Sequence, residues 1–267
     1  MPRGPINRRG GGWGGLLAIT GKSDTIAPNL YATVLGRKFG SWIDADARNN
    51  GYNVNDQIQN PVYIIESILR DELGLASAVI NYTSIDALGD ATTGRRDNWL
   101  FARSLTQQQN SLAVIDEICQ NAAIVSIHDY ANQERLIALD HYNPTDQLAN
   151  TDIVFENGVP QVHVRQTHVK YIRNEFFLNY KLNYATGNYD KQLYVTASAT
   201  NMSSNSRADK TYNSYTGLCT GSQTMYNKTE RWTFDSNWIR DDATAELFIK
   251  QMADWLAIRK WEIDATL

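Results

Sequence analysis

The chain has 267 residues and a mass of 30.1 kDa, with 42% hydrophobic and 20% charged residues. That composition supports a sizeable core and excludes charge-rich disorder, and no apolar run approaches the ~20 residues that cross a bilayer. A net charge of -4, from 25 basic and 29 acidic residues, argues against a general polyanion binder, which neutralises phosphates with clustered Lys and Arg.

Residues 1–29 read as a flexible N-terminal arm. MPRGPINRRGGGWGG sets three arginines before a glycine run broken only by Trp13, and glycine keeps a backbone mobile. Its functional reading is an arm that orders against a neighbouring subunit through Trp13. It has no continuous apolar stretch followed by a small-residue cleavage site, so it is not read as a secretory signal.

The clearest helix opens at Asn60-Pro61, a preferred cap and first-turn pair. Val62, Ile65, Leu69 and Leu73 share a face with Ile68 beside them, and Gly74 is the expected stop. A second helix is expected over Gln107 to Asn121, with Thr106 and Gln109 as a capping box. Leu112, Ile115, Ile118, Cys119 and Ala122 form its apolar stripe, which makes Cys119 a core residue. Cys119 and Cys219 lie far apart with no CxxC spacing; two free thiols fit a reducing cytoplasm, and a single disulfide stays open.

IVSIH at Ile124 to His128 and RLIALD at Arg135 to Asp140 flank a polar link, as in a hairpin. From Val169 to Tyr184 the chain alternates. Ile172, Phe176, Leu178, Tyr180, Leu182 and Tyr184 fall on one face; Arg173, Glu175, Asn179, Lys181 and Asn183 fall on the other. After the Ala185 to Asn188 turn a return strand carries Leu193, Val195 and Ala197. A strand over that whole range is about 50 Å long at roughly 3.3 Å per residue, beyond ordinary strands, so it bends at a bulge or runs across a neighbour. Asn201 to Asn213 is a polar loop, Tyr215 to Met225 a short helix, and RWTFD a strand with Trp232 and Phe234 on one face. Asp241-Asp242 opens a third helix with the stripe Ala245, Phe248, Ile249, Met252, Trp255 and Leu256. WEIDATL closes the chain as a strand whose edge needs cover. The fold class is therefore α+β: antiparallel sheets with a few packed helices and one long β-hairpin. Residues 30–150 form a helix-hairpin unit, and 151–267 a β-rich unit with the long hairpin and a C-terminal helix and strand.

Motif-bearing chemistry is sparse. His163 and His168 fall on opposite faces of an alternating strand, His128 and His141 bracket the first hairpin, and no HExxH or CxxC supports zinc. Asp44 to Gln57 resembles a calcium loop read from Asp46, with Gly51 sixth, but Arg48 and Gln57 occupy ligand positions, so it reads as a polar turn. Asp71-Glu72, Asp116-Glu117 and Asp241-Asp242 lie on helices, where neighbours point about 100° apart, and read as solvated faces or caps. The N-x-Ser/Thr triplets at Asn81, Asn201 and Asn227 read as chance matches. No catalytic, cofactor-binding or metal residues are expected. A cell-wall hydrolase using two of Asp44, Asp46, Asp97 and Asp129 is one alternative. A receptor- or glycan-binding module with exposed aromatics flanking the Asn201–Asn213 loop is another.

Several segments resemble, in order, the tip-attachment or baseplate hub proteins of long-tailed bacteriophages and phage-like particles. They are NPVYIIESILRDELGL with SID at Ser84 to Asp86, SLAVIDEICQNAAIVSIHDYANQERLIALD, YKLNYATGNYDKQLYVTA and DDATAELFIKQMADWLAIRKWEI. The resemblance spans about residues 34 to 264. It implies a virion structural protein at the tail tip, folded in the host cytoplasm. Such a protein forms a symmetric ring, expected to be a trimer, that closes the tail tube and anchors the central fibre or spike. Implied partners are a distal tail or tube protein, a companion hub chain and the fibre, with no nucleic acid and no membrane span. The family has no catalytic residues in this region to carry over. Its familiar members have further domains before and after it, so a hub split between genes or a reduced hub is expected.

Overall fold

The computed structural model describes residues 36–45, 51–105, 109–129, 131–139, 155–156, 159–160, 162–208 and 211–265. The arm with Trp13, His141 and Thr106 lie outside the described residues. The architecture is α+β.

Helix α1 (Trp42–Ala45) is one turn. Helix α2 (Pro61–Ser67) starts where the Asn60 side chain accepts the Val62 N–H at 2.9 Å. Its core face is Val62, Tyr63, Ile65, Ile68 and Leu69. The helix continues as a π turn over Ile68–Glu72, with the Leu73 N–H bonded to the Ile68 carbonyl at 3.0 Å. That extra residue rotates Leu73 off the expected face, and it is 40% exposed. Gly74, at φ +65, ends the run, and the Leu75 N–H returns to the Leu69 carbonyl at 3.0 Å. Helix α3 (Tyr82–Gly89) packs against α2 so closely that a Cβ on Gly89 would meet the Tyr63 ring at 2.9 Å.

Helix α4 (Ser111–Ala122) begins four residues later than expected, because the Asn110 side chain caps it by accepting the Leu112 N–H at 2.9 Å. Val114, Ile115, Ile118, Cys119 and Ala122 are buried, while Leu112 is 61% exposed. At 100° per residue Leu112 sits on the far side from Val114. Left-handed Ala123, φ 51, turns the chain into β1 (Ile124–His128), which pairs antiparallel with β2 (Glu134–Ala138). The outer edge of β2 is covered by α3: the Asn81 N–H reaches the Glu134 carbonyl at 2.9 Å, and the Leu136 N–H reaches Ser84 Oγ at 3.2 Å.

Strands β3 (Phe155–Glu156) and β4 (Val159–Pro160) form a short pair before β5 (Val162–Gln166). The long strand expected over Val169 to Tyr184 is shorter. His168 Nδ1 accepts the Lys170 N–H at 3.0 Å and caps a 3-10 turn over Val169–Tyr171. Buried Asn174 then ties the chain to the segment just before Arg231, donating to the Lys228 carbonyl and accepting the Glu230 N–H, both at 2.8 Å. Strand β6 (Glu175–Asn183) therefore has nine residues, about 30 Å, and it fits within an ordinary domain. It kinks at Lys181, φ 60, whose N–H bonds the Ile239 carbonyl at 3.0 Å.

Strand β7 (Asn188–Val195) is its antiparallel partner, and β8 (Arg231–Asp235) adds parallel on the other side, giving the order β7-β6-β8. The alternation holds: Phe176, Leu178, Tyr180, Leu193 and Val195 are buried. Helix α6 (Asp242–Leu256), capped by Asp241, lies on this face, with the Phe248 ring 5.1 Å from Phe234 and 6.2 Å from Trp99. Helix α5 (Tyr215–Tyr226) adds Leu218 and Cys219. Buried side chains from both stretches of the chain join one core. The final strand, β9 (Trp261–Ala265), is expected to leave an edge that needs cover, and one of its two edges is covered. It pairs antiparallel with β5, giving a two-stranded ribbon.

Candidate functional site

A groove of about 580 Å³ lies between β7, the first turns of α6 and the Asn201–Ser203 segment. Tyr180 reaches it from β6, Lys191 from β7, and Asp242 and Glu246 from one face of α6. The Tyr180 hydroxyl donates to Asp242 Oδ1 at 3.0 Å. Lys191 Nζ donates to both oxygens of the same carboxylate, at 2.7 and 2.6 Å. The Lys191 ammonium holds the Asp242 carboxyl below the usual range. Burial pushes the Tyr180 phenol up, and its bond to Asp242 adds to that. Burial opposes ionisation of Glu246, but hydrogen bonds from Ser203 and Lys250 outweigh it and hold this carboxyl low as well.

Both carboxyls are thus anchored as anions by their own neighbours. A glycosidase pair needs one carboxyl held protonated near neutrality. The electrostatics of the groove run the other way, and its Lys191–Asp242 ion pair ties α6 to β7. Of the acids proposed for a hydrolase, the described Asp97 and Asp129 do not line this groove. Asp97 accepts the Asn98 N–H at 2.7 Å. Asp129 accepts the N–H groups of Ala131 and Gln133 at 2.9 and 3.0 Å, and so shapes the β1–β2 turn. Asp44 lies in α1, but its side chain falls outside the described residues, as do Asp46 and the loop through residue 50. Described Gly51 takes φ +81, and Asp56 accepts the Asn53 N–H at 2.8 Å, in keeping with a polar turn.

The adjacent acids behave in three ways. Asp71 and Glu72 share one partner, Arg37, at 3.0 and 3.1 Å, so they are neither caps nor bare solvated charges. Glu117 meets Arg103 and accepts from Asn237. Asp241 is a cap, as expected, taking the Thr244 N–H at 2.9 Å. His128 sits exposed at the end of β1 and touches Asn132 at 2.9 Å, and His168 is the 3-10 cap. Among the described residues no group of three or more His, Cys, Asp or Glu side chains could hold a metal. Cys119 and Cys219 are free and buried, and burial pushes both thiols up to about 12. The three triplet asparagines have structural roles: Asn81 caps α3, Asn201 bonds the edge of β7 at Tyr194, and Asn227 ends α5 in the left-handed region.

The surface has features that sequence reading missed. Val125, Ile127 and Ile137 are exposed, and the β1–β2 register puts them on one face with Arg135. On the β5–β9 ribbon Val164 is 57% and Trp261 65% exposed. The aromatics flanking the Asn201–Asn213 loop turn inward: Tyr215 is buried, with its hydroxyl on Asp254 at 3.2 Å, and Tyr212 is half-buried against the core. No helix among the described residues is long and apolar enough to cross a membrane. No protein-family model and no curated protein matches this chain.

Proposed function

We propose that this chain is a building protein of a phage or phage-like tail tip, a hub that assembles as a closed ring, a trimer in the simplest form. In that role it closes the tail tube and supports the central fibre or spike. Its partners are copies of itself, a distal tail or tube protein, a companion hub chain and the fibre, and its place is the virion. Catalysis is not part of the reading. The sequence order of the hub-like segments supports it. The observation that carries it physically is the β5–β9 ribbon, which presents Val164 and Trp261 to solvent. Two strands alone are marginal in water, and a third strand or a packed face completes them. Mass spectrometry of purified particles tests the reading. The chain is expected in fixed ratio to the tube and fibre proteins, and particles that lack it would sink the proposal.

One observation favours receptor-glycan binding as a second reading. On the outer face of the β7-β6-β8 sheet the Phe177 and Tyr194 rings stack at 5.9 Å, with the Arg231 guanidinium 4.4 Å from Phe177. Beside them Gln192, Asn179 and Asp235 form a hydrogen-bonded polar row across the three strands. A glycan array with the purified chain, repeated with Tyr194→Ala, decides it. Hits that vanish in the variant support it, and an empty array removes it.

A further inference from the structure

In the β5–β9 ribbon His163 stands opposite Asp264 and Arg165 opposite Glu262. The Thr167 N–H bonds the Lys260 carbonyl at 2.9 Å, and that bond sets the alternation. Arg165 and Glu262 exchange backbone bonds across the ribbon, while the backbone groups of Val164 and Gln166 on β5, and of Trp261 and Ile263 on β9, point outward. The Gln166 carbonyl takes Arg259 at 3.4 Å. Among the described residues no other strand pairs with either outer edge.

The two edges differ in sign. Strand β5 carries His163 and Arg165, and β9 carries Glu262 and Asp264. A β9 edge set antiparallel against another β9 edge, centred on Ile263, faces Glu262 with Asp264, and like charges directly opposite are destabilising. A β5 edge set against β5 faces Arg165 with His163 and gains no ion pair. A β5 edge set against β9 repeats the register already present inside the ribbon, in which Arg165 and Glu262 form an ion pair at 2.6 Å. It also continues the face that carries exposed Val164 and Trp261.

We propose that β5 of one copy adds antiparallel to β9 of the next, in the register that sets Val164 against Ile263, so that copies join head to tail. Such a contact is heterologous and generates a ring when its rotation closes. The proposal rests on the hub reading only in taking a second copy of this chain as the occupant.

Light scattering and native mass spectrometry on the full chain test it. Val164→Pro removes one outward N–H and leaves the internal ladder untouched, because proline is tolerated where an edge N–H faces solvent. The variant is expected to lose the ring mass while keeping the melting temperature of wild type diluted to monomer. The paired exchange Arg165→Glu with Glu262→Arg keeps complementary charges within the ribbon and between identical copies. It is expected to assemble with itself. Mixed with wild type it is expected to stay separate, because its β5 acid would face Glu262 of the other chain. If Val164→Pro fails to fold, the mixing experiment still decides. Normal assembly of the proline variant, free mixing of the two charge forms, or a wild type that stays monomeric across micromolar concentrations would overturn the proposal. The hub reading is judged separately, by presence in particles. A chain found in particles whose ring ignores this edge defeats the inference alone.

Discussion

Arg96 is 3% exposed, and its side chain closes the end of α4. Nε donates to the Ala122 carbonyl at 2.8 Å, one terminal nitrogen reaches the Ala123 carbonyl at 3.1 Å, and the guanidinium sits 4.7 Å from the Trp99 ring centroid. Its own carbonyl accepts from the Asn60 side chain at 2.7 Å. One residue thus joins the end of α4 to the start of α2. Hydrogen bonds from charged groups contribute about 1.5–3 kcal/mol each, and the orphaned carbonyls add a desolvation cost. Arg96→Met is therefore expected to lose about 3 kcal/mol in urea unfolding; a loss under about 1 kcal/mol would contradict this role. Nothing local in Gly94-Arg95-Arg96-Asp97 shows which carbonyls an arginine will meet, so the sequence does not reveal this role. Lys260 is a second case. Burial lowers its ammonium to about 8, and Nζ donates to the Asp254 carbonyl at 2.8 Å. A lowered lysine value means that the unfolded chain holds the proton longer. This group's stabilising share is therefore present at high pH and lost as pH falls through about 8. Above about 9 the raised thiols of Cys119 and Cys219 pull the other way, because the unfolded chain ionises them first. Thermal melts are expected to show a rise in stability between about pH 8 and 9 that Lys260→Met flattens. An unchanged slope in the variant would contradict the assignment.

At the scale of elements, legibility follows how local the signal is. Helix α2 was readable because Asn60 and Pro61 act on the backbone beside them, and Asn60→Ala is expected to cost about 1–2 kcal/mol in equilibrium unfolding. Helix α3 was not readable. It has eight residues, with Ile85 and Leu88 as its buried apolar side chains, too few to show a period. Strand β6 kept its predicted faces but not its length, because the caps at His168 and Asn174 are made by chain that alternation alone does not reveal. Helix α5 poses a contest of magnitudes. Alanine for glycine in a helix gains about 1 kcal/mol. At Gly221, however, a Cβ would fall 2.1 Å from the Tyr212 ring, and overpacking costs about 1–3 kcal/mol. Gly221→Ala is expected to lower the melting temperature. A rise would show that Tyr212 moves aside freely.

For the whole molecule, the α+β class and most core faces could be read from periodicity. The long-range pairings could not. Strand β8 joins β6 in parallel across a crossover that contains β7 and α5, and β9 finds β5 across most of the second half of the chain. The groove was hidden for the same reason, since Tyr180, Lys191 and Asp242 come from three elements and meet only through the packing of α6 on the sheet. The expected long hairpin forms as β6 and β7, but its first strand is shorter than its alternation suggested, so the case for assembly moves to the short ribbon. Hydrogen exchange at the amides of Val164, Trp261 and Ile263 tests that case most directly, because these groups point away from the ribbon. The account predicts fast exchange in dilute monomer and slow exchange once copies or companion chains assemble. Equal protection in both states would contradict it.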